Sequence, residues 1–153
     1  MLMNLTNLFE VPKKFEKELI QELKPKESLP MSKRLLLLQA EFGSLAKDAG
    51  CCNFLKDNVD CKDDIFEKYI NCLQLILTIG REKNYSEVNI EAKFPELDLV
   101  QQFLNLFIDL NDYIVCSYED HYITLLEDFL SLGLSLGFRE DQIFMGCKSK
   151  YQH

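Results

Sequence analysis

Apolar residues recur at three- and four-residue steps along almost the whole chain, and strict two-residue alternation is nearly absent over any useful length. This periodicity predicts an all-α protein, a bundle of about six helices. A first stripe takes Leu5, Leu8, Phe9, Phe15, Leu19, Ile20 and Leu23, with Pro12 as a kink or a first-turn restart. Lys24 to Met31, with its prolines, reads as a linker. Ser32 then offers an N-cap to a helix carrying Leu35, Leu38, Phe42, Leu45 and Ala46, which Gly50 stops in the left-handed conformation. After a polar loop through Asp60, Asp63 or Asp64 caps a helix that buries Ile65, Phe66, Tyr69, Leu73, Ile76 and Leu77 and ends near Gly80 to Arg81. Asn84 to Pro95 reads as a long surface loop. A helix from Glu96 is expected to bury Leu99, Val100, Phe103, Leu104, Phe107, Ile108 and Leu110. Another, from Tyr118, buries Tyr122, Leu125, Leu126, Phe129 and Leu132, is closed by Gly137, and precedes a short last helix after Phe138.

Composition narrows the class. With 153 residues, 47% hydrophobic and 27% charged, the chain has the length of one domain, 1–153, and is not disordered. Stretches such as Leu35 to Leu38 and Leu73 to Ile79 are apolar on more than one face, more than a small bundle can bury, and a homodimer would cover the excess. Acidic residues outnumber basic ones by 25 to 17, for a net charge of -8, so the surface as a whole repels nucleic acid and anionic membrane. A nucleotide would need its own local cation. Cys51, Cys52, Cys61, Cys72, Cys116 and Cys147 contain no C-x-x-C pair, and His121 and His153 add no zinc spacing. Reduced thiols, no basic signal region and no aliphatic run near the roughly 18 residues a span needs together predict a cytoplasmic protein.

Candidate chemistry lies on two helix faces. Glu41, Ser44 and Asp48 stand at i, i+3 and i+7, and Glu67, Lys68 and Asn71 fall within one turn of the next helix. Facing helices with acids at this spacing hold divalent metals in bundles; the same residues also suit two solvated surfaces. Tyr113, Tyr118, His121 and Tyr122 cluster at a helix junction, as pocket, core or interface. The glycines at 80, 133 and 137 follow no strand and are not phosphate loops.

The segments 5-LTNLFE-10, 35-LLLLQAEFGSLAKD-48, 67-EKYINCLQLILTIGRE-82 and 129-FLSLGLSLGF-138 give the chain its resemblance to a known family. In order and spacing it resembles the dimeric all-α dUTPases, relatives of the MazG-type nucleotide pyrophosphohydrolases. The resemblance implies a helical homodimer that hydrolyses dUTP, and often dUDP, to dUMP with Mg²⁺. It also exposes departures. The family's E-x-x-E motif reads Glu41-Phe42-Gly43-Ser44 here, and its E-x-x-D motif reads Lys68-Tyr69-Ile70-Asn71. A uracil-contacting glutamine is replaced by Pro12, a loop tryptophan by Leu55, and a helix histidine by Gln74, while Phe54 and Lys150 fit substrate-binding positions. Glu41, Lys68 and Asn71 therefore mark a degenerate catalytic site. Two arrangements follow. In one, the Lys68 ammonium takes the place of the metal and pairs with Glu41, and with Asp48 or Glu67. In the other, Glu41, Asp48, Glu67 and the amide oxygen of Asn71 gather a weak Mg²⁺ or Mn²⁺, with Glu91 or Glu96 completing the shell. The first implies a dUTPase relative that acts by binding a deoxynucleotide or a protein partner without a cofactor. The second implies a weak dNTP diphosphatase, and a third reading is an interaction protein that binds no nucleotide.

Overall fold

Five helices and two short strands are seen among the described residues, which cover 2–4, 29–50, 62–85 and 89–149 of the computed structural model. The helices are α1 (Met31–Asp48), α2 (Lys62–Glu82), α3 (Leu99–Val115), α4 (Glu119–Ser135) and α5 (Glu140–Ser149). The strands are β1 (Leu2–Asn4) and β2 (Asn89–Glu91). The fold is an all-α bundle, and the stripe expected over Leu5 to Leu23 lies outside the described residues.

An aromatic stack ties three helices together. Phe129 of α4 lies between Phe42 of α1, at 5.5 Å between centroids, and Tyr69 of α2, at 4.5 Å, both nearly parallel to it. Such stacking adds orientation to the apolar burial. Two buried hydroxyls are satisfied across the same core: Tyr69 donates to the Phe129 carbonyl at 3.0 Å and Tyr122 to the Ile76 carbonyl at 2.8 Å. Around this stack pack Leu38, Leu45, Leu73, Ile76, Leu106 and Leu126.

The termini show which capping signals prevail. α1 starts at Met31, because the Pro30 carbonyl already accepts from the Lys33 and Arg34 amides, at 3.0 and 3.1 Å; Ser32 is inside the helix and caps nothing. Asp63 and Asp64 sit within the first turn of α2, not ahead of it, where carboxylates complement the dipole. Asp98 is the N-cap of α3, its side chain accepting from the Gln101 amide at 2.8 Å, so this helix begins later than Glu96. Gly50 and Gly137 have φ of 85° and 89°, the left-handed stops expected of them.

Two further expectations are corrected. The segment 84–95 is more than a surface loop: β2 pairs antiparallel with β1, Met3 opposite Ile90, and both Ile90 and Ala92 are buried. Three residues are too few for alternation to register, and the partner strand lies at the other end of the chain. In α3 the buried side carries Gln102, Phe103, Leu106, Asp109, Leu110 and Tyr113. Leu99 and Phe107 are half-buried, whereas Val100, Leu104 and Ile108 are 51%, 53% and 56% exposed. A helix apolar nearly all round does not reveal by periodicity which face its neighbours cover. On α1, Leu35 is likewise half-buried beside Arg34, which is buried, donates to the Leu29 carbonyl at 3.0 Å and approaches Glu82 at 3.7 Å.

Candidate functional site

α1 and α2 lie against one another and bring the two polar faces together. The Lys68 ammonium donates to the Ser44 hydroxyl at 3.3 Å and forms an ion pair with the Asp48 carboxylate. The lysine side chain is 38% exposed and the aspartate 15%, so the pair closes one wall of a cleft and is not sealed in the core. Asp48, Asp64, Glu67, Lys68 and Asn71 line that cleft, of about 400 Å³. Glu41 is half-buried nearby. Its position is felt at Cys72, whose thiol is pushed up first by burial and then by the Glu41 carboxylate, with the Lys68 ammonium acting in the opposite sense. Among the described residues the ion-pair partner of Lys68 is Asp48, not Glu41.

This donor set does not fit a tightly held Mg²⁺. The ion requires several oxygen acceptors in near-octahedral array, whereas an ammonium offers only donors and a like charge. Lys68 engages Asp48 and Ser44, and among the described residues no three Asp, Glu, His or Cys side chains converge closely enough to hold a metal. Among the described residues the cleft presents three carboxylates and one ammonium, and that ammonium is engaged by Asp48.

Asp64 is the site residue that reasoning from sequence missed, being taken only as a cap. Its register was legible: Asp64, Glu67 or Lys68, and Asn71 recur at i, i+3 or i+4, and i+7 on one helix face. One turn deeper, Gln74 is fully buried, and among the described residues neither its amide nitrogen nor its oxygen has a hydrogen-bond partner. Phe54 and Lys150 lie outside the described residues. Glu91, the last residue of β2, pairs with Lys93 at 3.5 Å, and Glu96 is exposed; neither is among the cleft residues. The aromatic group at the α3–α4 junction separates: Tyr113 and Tyr122 enter the core, and Tyr118 stays 70% exposed, stacked on His121. Cys72 and Cys147 are buried and outside any disulfide, and Cys116 is exposed.

A helical bundle with its polar cleft between two facing helices is the architecture in which bundle proteins build metal and ligand sites from side chains. The dUTPase family model matches residues 4–152, and the chain belongs to that family. No curated protein and no solved structure matches the chain. Among the described residues no helix is long and apolar enough to cross a membrane.

Proposed function

We propose that this member of the dUTPase family is catalytically degenerate and acts by binding, with a deoxynucleotide or a protein partner as its ligand. The observation that supports this reading is the Lys68 ammonium held between α1 and α2 by Asp48 and Ser44. An ammonium supplies fixed positive charge, but it cannot coordinate and acidify a water, or clamp phosphate and nucleophile together, as a divalent ion does. Of the paired carboxylate motifs that the family resemblance implies, only Glu41 remains.

Pyrophosphate release from dUTP and the other deoxynucleoside triphosphates, with Mg²⁺ and then Mn²⁺, tests the proposal, with an intact family member as positive control. The wild type is expected to give none, and its melting temperature to ignore Mn²⁺. The variant Ser44→Glu/Lys68→Glu/Asn71→Asp, which rebuilds both carboxylate motifs, is expected to melt progressively higher as Mn²⁺ is added, by mass action on the native state. Metal-dependent turnover by the wild type would overturn the proposal. It would favour the second reading, a weak Mg²⁺- or Mn²⁺-dependent diphosphatase, for which the meeting of Asp48, Asp64 and Glu67 in one cleft is the supporting observation.

The binding unit is proposed to be a homodimer. Val100, Leu104 and Ile108 form an exposed apolar ridge on α3, and exposed Leu36 of α1 and Val115 of α3 extend the apolar surface of these two packed helices. Such a neutral surface, on a chain of net charge -8, is the part best suited to meet its own copy.

A further inference from the structure

α3 and α4 share the most extensive helix–helix seam among the described residues, and an aspartate is buried in it. Asp109 of α3 is 9% exposed, and its Oδ2 has no hydrogen-bond donor among the described residues. Asp128 of α4 lies beside it across the seam, and Asp112, one turn along α3, brings a further negative charge. No ammonium or guanidinium of the described residues lies within ion-pair distance of these carboxylates: Lys93 pairs with Glu91, and Arg81 and Arg34 approach Glu82. On α4, Glu127 faces the other way and accepts from the Glu91 amide. α1, also packed on α3, contributes the neutral Gln39, whose amide donates to Asn111 of α3 at 3.1 Å.

Two ionised carboxylates side by side, one of them removed from water, repel one another, and among the described residues no cation pairs with either to offset it. A single proton between them replaces that repulsion with a short, charge-assisted O–H···O⁻ bond. We infer that Asp109 and Asp128 share one proton across the α3–α4 seam, which makes this seam a pH-sensitive fastening of the bundle.

The electrostatics agree. Burial first, then the hydrogen bond and charge of Asp128 and the charge of Asp112, push the Asp109 carboxyl up to about 8. In the unfolded chain an aspartate ionises near about 3.9. Between these values the folded state retains a proton that the unfolded state has lost, so stability falls as pH rises through this window and levels off above it.

Melting temperatures of the wild type, Asp109→Asn and Asp128→Asn, taken from about pH 5 to about pH 9, test the inference. The wild type is expected to melt progressively lower toward alkaline pH. Asp109→Asn, which keeps a neutral hydrogen-bonding side chain, is expected to lose most of this slope and to melt above the wild type at the alkaline end. Curves that stay parallel would overturn the proposal. Carbon-13 NMR titration of the wild-type aspartate carboxyls needs no variant: one carboxyl titrating far above the others supports the shared proton, and all of them titrating near about 4 excludes it.

Discussion

Gly133 is where one hydrogen atom in place of a methyl decides the packing. It lies inside α4, opposite Tyr69, and a Cβ built there would collide with the tyrosine hydroxyl and ring. The ring cannot swing aside cheaply, since it is stacked on Phe129 and its hydroxyl is bonded to the Phe129 carbonyl. Gly133→Ala is therefore expected to destabilise the fold by about 1–3 kcal/mol despite the better helix propensity of alanine, seen as a lower urea midpoint with an unchanged slope. Gln74 makes the opposite case. A fully buried amide that no described residue pairs carries an uncompensated desolvation cost, so Gln74→Leu is expected to raise stability by about 1–3 kcal/mol in the same assay. A lower midpoint would mean that the amide is satisfied by an internal water. The sequence marks Gln74 as a polar residue within an apolar run, but whether a partner reaches it is a matter of its neighbours on other helices.

At the scale of elements, legibility depends on how asymmetric each helix is. α2 carries one polar stripe, and the positions of Glu67, Lys68 and Asn71 on it follow from a 3.6-residue repeat. Which acid Lys68 would meet did not follow. Glu41, Ser44 and Asp48 occupy successive turns of α1, and the axial offset of the two helices selects Ser44 and Asp48. α3 offers less: apolar side chains surround most of it, and the burial of Asp109 and Gln102 in place of Leu104 and Ile108 reverses what hydrophobicity alone predicts. That reversal is what places a carboxyl against Asp128, so the expected pH slope of stability is a property of this helix pair. β1 and β2 mark the limit of local reading. Each is only three residues long, and their pairing depends on joining the start of the chain to the segment before α3.

For the whole molecule, the apolar ridge of α3 and the net charge of -8 pull in opposite directions, one favouring self-association and the other opposing it. In a two-fold assembly each substitution acts twice, and a glutamate at the centre of the ridge would bring a desolvated charge against its own image. Leu104→Glu is expected to convert the proposed dimer to a folded monomer, read as a halved mass by sedimentation or light scattering with unchanged helical circular dichroism. A wild type that is already monomeric at the concentrations used would remove this surface from consideration.

The sequence by itself determined the helical class, the main helices and which residue types stand at positions 41, 44, 68 and 71. These rest on periodicity, terminus chemistry and residue identity, all local properties of the chain. Tertiary structure alone decided that Lys68 pairs with Asp48, that Asp64 joins the cleft, that α3 turns Asp109 inward, and that β1 meets β2. Each of these depends on the rotation and axial offset of one element against another. Those are set by how the side chains of both partners interlock, which no repeat within either segment specifies.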